Sequence, residues 1–215
     1  RCTAVTTGPE MQQGCFLQFA KAPRVGAVKT RLQPVLTPSR AAAVARTLSA
    51  RVASALDAAP CGWDVCLVAD EPEDPFLREL AARHGRVVHE QGPGDLGQRM
   101  QRALAHALRD YPAAILIGSD CPGYDPAYLL EATRILARTD AVLGPARDGG
   151  YVLIGFSRMH EAVFEGPRWG SDNVLAVQRT RLQALGLGWE ELPPRADIDR
   201  PEDLWQLGED FARRW

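Results

Sequence analysis

"AAILIGSD" (residues 113–120) is a continuous apolar run that stops at Ser119 and Asp120. An unbroken run without polar alternation belongs to a strand buried on both faces, as in a parallel sheet covered by helices. Working outward, the flanking stretches agree. "DLGQRMQRALAHALRD" (95–110) and "DPAYLLEATRILAR" (125–138) carry helical periodicity, the second with Asp125 as N-cap and Pro126 in the first helical position. Upstream, "CFLQF" (15–19), "WDVCLVA" (63–69) and "VVHEQ" (87–91) read as strands. Between them, helices are expected over 37–56, capped by Thr37, and over 74–85, closed by Gly85. Downstream, "DAVLGPA" (140–146) and "YVLIGF" (151–156) are strands. A helix over 171–186, a short strand near 189–192 and a helix over about 200–214 follow. This order predicts an α/β fold: a mostly parallel sheet with helices on both faces and a small antiparallel element at 140–156.

Bulk composition bounds the function. A chain of 215 residues with 46% hydrophobic and 24% charged residues suits one domain, residues 14–215. Residues 1–13 read as a leader or disordered tail. A net charge of −2 gives no electrostatic case for nucleic acid or an anionic membrane, and no apolar run approaches the roughly 20 residues of a membrane span. The five cysteines form no C-x-x-C pair and read as reduced thiols of a cytoplasmic protein. The four histidines lack ligand spacing and read as structural.

In such sheets, ligands bind outside the carboxyl ends of the strands, so the residues after each strand matter most. The first such loop, "FAKAPRVGAVKTRL" (19–32), holds both lysines of the chain, Lys21 and Lys29. The other 23 of its 25 basic residues are arginines. A flexible ammonium can follow a phosphate through changing geometry, whereas a guanidinium fork binds at fixed angles. After the central strand, Asp120 delivers a carboxylate suited to Mg²⁺ or Mn²⁺ shared with substrate phosphates, or else caps a turn. "QGPGDLGQRM" (91–100) combines glycines, which allow close approach to a flat ligand, with Asp95, which also reads as a helix cap. In "GPARDGGYVLIG" (144–155), Asp148 is a free carboxylate beside the Gly149–Gly150 bend. In "RADIDRPEDL" (195–204), Asp199 and Glu202 resemble a capping box, which leaves Asp197 as a second metal carboxylate.

Taken together and in this order, "FAKAPRVGAVKTRL", "GDLGQRM", "GSDCP", "GPARDGGYVLIG" and "DIDRPEDL" resemble the cofactor-biosynthesis-like, phospholactate guanylyltransferase-like glycosyltransferases (the DUF2064 type) of the nucleotide-diphospho-sugar transferase superfamily. The resemblance covers about residues 14–210. It implies the GT-A fold and a donor site made of Ala20, Lys21, Lys29, Arg31 and the turn Gly94, Asp95, Leu96 and Gly97. It implies Asp120 and Asp197 as metal ligands, Lys29 and Asp148 as catalytic, and Asp148, Gly149, Gly150 and Trp169 beside the acceptor. Arg24-Val25 departs from an expected apolar-proline pair, and Arg200 from an expected threonine.

The expected function is a metal-dependent transferase with a nucleotide-activated donor. Glycosyl transfer from a nucleotide sugar stands first and nucleotidyl transfer with release of pyrophosphate second. A non-catalytic sugar-nucleotide-binding module is a third reading. The partners are a nucleotide or nucleotide-sugar donor and a small acceptor of unassigned identity, with room for a homodimer.

Overall fold

A computed structural model describes residues 13–208, so the expected leader and the end of the expected last helix lie outside the described residues. Seven strands form one sheet in the order β3-β2-β1-β4-β6-β5-β7. They are β1 (Gly14–Ala20), β2 (Trp63–Ala69), β3 (Val88–Glu90), β4 (Ala114–Gly118), β5 (Ala141–Pro145), β6 (Tyr151–Phe156) and β7 (Trp189–Glu191). Strands β1 to β4 run parallel. β6 lies antiparallel between β4 and β5, and β7 returns parallel to β5. The sheet is thus mostly parallel with one reversed strand, the α/β arrangement that the sequence predicts.

Side-chain parity along β1 divides the core in two. Phe16 packs with the helices α1 (Pro38–Ala55) and α4 (Pro126–Leu136) on one face. Cys15 and Leu17 pack with α3 (Leu96–Asp110) and α5 (Val174–Ala184) on the other. Helix α2 (Pro75–Arg83) covers Ala20, Leu67 and Ala69. Because β4 is covered on both sides, its residues from Ala114 to Ile117 are all buried, which is why they show no polar alternation.

Four helices start where the sequence predicts. Thr37, Asp74, Asp95 and Asp125 each accept a backbone N–H of the first turn, and Pro38, Pro75 and Pro126 occupy first helical positions. Two ends differ. Helix α5 begins at Val174 because Ser171 folds into a turn, bonding to Arg168 and to Asn173 Oδ1. The last segment is a 3-10 turn, Pro201–Leu207, rather than an α-helix as far as it is described.

The parallel strands put the carboxyl ends of β1, β2, β4 and β5 on one edge. Among the described residues, no helix is long and apolar enough to cross a membrane.

Candidate active site at the carboxyl edge of the sheet

The first loop is tied down at both ends. The Ala20 carbonyl accepts from Gln91 Nε2 at 2.9 Å and from the Asp70 N–H at 3.2 Å, and the Ala22 N–H donates to Asp70 Oδ1 at 2.7 Å. Ala20 is itself buried. Lys21 turns back on its own loop, donating to the Ala27 carbonyl at 3.2 Å. Arg24 pairs with Glu71.

Lys29 is different. Its backbone adopts φ 50°, ψ 38°, the left-handed region, and it is the one non-glycine residue with positive φ among the described residues. A β-carbon costs roughly 1–2 kcal/mol there, and such strain gathers at functional positions. Its side chain is 5% exposed, and Nζ lies 2.7 Å from Asp120 Oδ1 and donates to the Ile198 carbonyl. Arg31, one turn on, pairs with Asp199 at 2.5 Å and reaches the Gly170 carbonyl at 3.4 Å. Asp199 is the main reason its guanidinium is held above the ordinary arginine value, with Asp148 and Asp197 adding smaller effects.

The 195–199 segment crosses the strand ends as an extension of the sheet. The Arg195 N–H donates to the Pro145 carbonyl, the Arg147 N–H to the Arg195 carbonyl, and the Ile198 N–H to the Asp120 carbonyl. Ile198 is fully buried. Asp197 is thereby fixed near both Asp120 and Asp148. Burial, then the Asp148 and Asp120 charges, push its carboxyl up to about 6, while Lys29 opposes the shift.

Asp199 does not cap the last helical segment, contrary to the expectation from sequence. The turn starts at Pro201, and Asp203 supplies the cap by accepting from the N–H groups of Asp199 (3.1 Å) and Arg200 (2.8 Å). The box begins one residue later, at Arg200-x-x-Asp203, which frees Asp199 to hold Arg31.

The "GDLG" turn also has a reason the sequence hides. Asp95 and Gln98 form a complete capping box for α3. A Cβ at Gly97 would lie 2.5 Å from the Trp169 indole, so the flat group that this glycine admits is the protein's own Trp169. Trp169 stands against the turn at Gly97, with its ring 6.4 Å from Phe164. Leu96 is exposed at the start of α3.

Of the Gly149–Gly150 pair, Gly149 is the constrained one. It has φ +91°, and a Cβ there would run into the Asp172 carbonyl. At Gly150 a Cβ would meet only Asp148 Oδ1 at 3.2 Å, and φ is not positive. Gly149→Ala should therefore destabilise the fold by about 1–3 kcal/mol, the scale of backbone strain of this kind. Gly150→Ala should change stability by well under half of that. Thermal melts of the two variants check it, and equal losses would mean the turn relaxes freely.

The residues brought together are thus Lys29, Arg31, Asp120, Asp148, Asp197 and Asp199. Two cations face four carboxylates, which leaves two negative charges when all are ionised, the charge that one divalent cation offsets. Among the described residues, no three or more His, Cys, Asp or Glu are arranged to hold a metal by themselves. Mg²⁺ is commonly held by one or two carboxylates together with substrate phosphates, so this donor set fits such an ion.

A protein-family profile described as "Uncharacterized protein conserved in bacteria (DUF2064)" matches residues 50–171. The chain belongs to this family. A crystal structure of a candidate nucleotide-diphospho-sugar transferase from Desulfovibrio desulfuricans G20 is 32% identical, with a TM-score of 0.78 over 86% of this chain and 82% of that one. The phosphoenolpyruvate guanylyltransferase of Salinispora arenicola is 29% identical over 184 residues, 84% of this chain and 82% of that protein. The 2-phospho-L-lactate guanylyltransferase of Methanothermobacter thermautotrophicus is 29% identical over 123 residues, 57% of this chain and 53% of its own length. These relatives support transferase chemistry on a nucleotide-based donor. The two guanylyltransferases back nucleotidyl transfer, the second expectation from the sequence, better than the glycosyl transfer that it put first.

Proposed function

We propose that this chain is a nucleotidyltransferase, guanylyltransferase-like, that moves a nucleoside monophosphate from a triphosphate onto a small phosphorylated acid. An acceptor phosphate oxygen attacks the α-phosphorus, the bond from that phosphorus to the α,β-bridging oxygen breaks, and pyrophosphate leaves with the electron pair. The observation that carries the reading is the buried Lys29, held on strained backbone between the Asp120 carboxylate and the Ile198 carbonyl, in a chain that is similar to two guanylyltransferases.

The chain's residues divide the work. Lys29 and Arg31 would neutralise the donor phosphates, exchanging Asp120 and Asp199 for phosphate oxygens. Asp120 and Asp197 would hold Mg²⁺ or Mn²⁺, which supplies positive charge to the phosphates when bound. Asp148 at the β5–β6 turn, fixed by the Gly150 N–H at 3.0 Å, would orient the acceptor with Gly149, Gly150 and Trp169 at its side. Gly94, Asp95, Leu96 and Gly97 would border the nucleotide, and Lys21, released from its loop, would reach the distal phosphates.

Product analysis tests the reading. GTP and Mn²⁺ with phosphoenolpyruvate or 2-phospholactate should release pyrophosphate in step with acceptor consumption. Release of nucleoside diphosphate from a nucleotide sugar, with none of pyrophosphate from GTP, would instead support glycosyl transfer. Tight nucleotide binding with neither product would leave a binding module.

A further inference from the structure

Cys15 and Cys66 are 51 positions apart, yet they meet on the α3 face of the sheet. They sit diagonally on adjacent parallel strands, with Cys15 opposite Asp64 and Leu17 opposite Cys66. Their sulfurs lie 3.7 Å apart, the Cys15 S–H donating to Cys66 Sγ. Cys15 is buried at 1% exposure, whereas Cys66 is only partly buried. The reason for the difference lies in the topology. β3 is three residues long and pairs only with Leu67, Val68 and Ala69, so among the described residues the stretch of β2 that holds Cys66 has no strand on its outer side. His89 of β3 is near enough to Cys66 to favour its thiolate, and His106 of α3 lies against His89 with ring centroids 5.8 Å apart.

These groups lie along the strands, below the carboxyl edge, and the transfer chemistry uses none of them. We propose that Cys66 and Cys15 form an oxidation site, in which Cys66 Sγ attacks a hydroperoxide and Cys15 Sγ then closes a reversible disulfide.

The chemistry balances without a cofactor. The Cys66 thiolate attacks one peroxide oxygen, the O–O bond breaks, and the departing oxygen takes a proton to leave as water or an alcohol. Cys66 is now a sulfenic acid. Cys15 sulfur attacks Cys66 sulfur, the S–O bond breaks, and hydroxide leaves as water with the Cys15 proton. Two thiols lose two electrons and the peroxide gains them.

The setting supports this order of events. The Cys15 hydrogen bond is the main cause that lowers the Cys66 thiol below its ordinary value, with His89 adding to it against the cost of burial. The Cys15 thiol is raised, first by the same hydrogen bond and then by burial. The sulfur that is partly exposed is also the one that accepts the hydrogen bond. Cys121 offers the contrast, since burial pushes its thiol up to about 11.

The test treats the full chain with excess hydrogen peroxide and maps cysteines by mass spectrometry without reduction. The expected product is a Cys15–Cys66 disulfide, about 2 Da lighter and reversed by dithiothreitol. Cys15→Ala should leave Cys66 as a sulfenic acid that dimedone traps, while Cys66→Ser should leave Cys15 unmodified. Circular dichroism of both variants confirms that they fold. Cys66 should react at least tenfold faster than Cys121, as expected of a thiolate against a protonated thiol. Oxidation at Cys2 or Cys61 with Cys15 and Cys66 still reduced, or no dimedone adduct in Cys15→Ala, would overturn the proposal. Neither outcome bears on which transfer reaction the carboxyl edge performs.

Discussion

Lys29→Ala should lower turnover by about 10²–10³-fold, the effect of removing one preorganised charged donor from a reacting centre. The ammonium is nearly enclosed and pairs with Asp120 at 2.7 Å. Its loss strips charge from the donor phosphates and leaves Asp197 facing Asp148 and Asp120 without compensation. Lys29→Arg should recover little, because a planar fork does not fit a pocket shaped to a single ammonium. Lys29→Gly separates chemistry from strain. It should lose as much activity as the alanine variant yet melt higher, since glycine adopts φ 50° without the penalty that both lysine and alanine bear. Steady-state pyrophosphate release and thermal melts of the three variants check this. Turnover within threefold of wild type in Lys29→Ala would take the loop out of the site.

Asp197→Asn should cost a comparable 10²–10³-fold in Mn²⁺-dependent turnover, as for other electrostatic groups at a reacting centre, while raising stability without metal. Burial and the neighbouring carboxylates push the folded carboxyl up to about 6 from an ordinary 3.8. The folded state therefore holds this proton more tightly than the unfolded chain does. The stabilisation from this group is complete below about 3.8 and is lost as pH rises through about 6. Above that pH the buried ionised carboxylate works against folding unless a cation offsets it. Melting temperature compared between wild type and Asp197→Asn should thus diverge in the variant's favour from pH 4 to 7 in chelator. Mn²⁺ should close the gap by stabilising only the wild type. A difference that ignores both pH and Mn²⁺ would sink the assignment of Asp197 as a metal carboxylate.

What the sequence disclosed follows the range of the interactions concerned. The caps at Thr37, Asp95 and Asp125 are local, each side chain bonding within three residues, and all were legible. The β4 run and the reversed pair near 140–156 were legible because burial and turn composition are written in consecutive residues. Asp199 was misread because the boxes beginning at Asp199 and at Arg200 differ by one position, and only the partner of Asp199, Arg31, 168 residues away, decides between them. The packing of Trp169 on the second glycine of "GDLG" was not legible, because nothing local announces that indole. Cys15 and Cys66 looked scattered for the same reason: pairing across a parallel sheet leaves no trace in spacing.

The segment that carries Asp197 has a consequence for how the molecule comes into being. Its anchors join residues very far apart in the chain, Ile198 to Asp120 and Lys29 to Ile198 across 169 positions. Such contacts close the largest loops and form late, after the local helices and the β1–β2–β4 pairing can already collapse. During synthesis, β1 to β6 leave the ribosome before residues 195–199 exist. The emerging chain therefore passes through a stage with β1 to β6 already made and the segment that sets Asp197 beside Asp120 still to come.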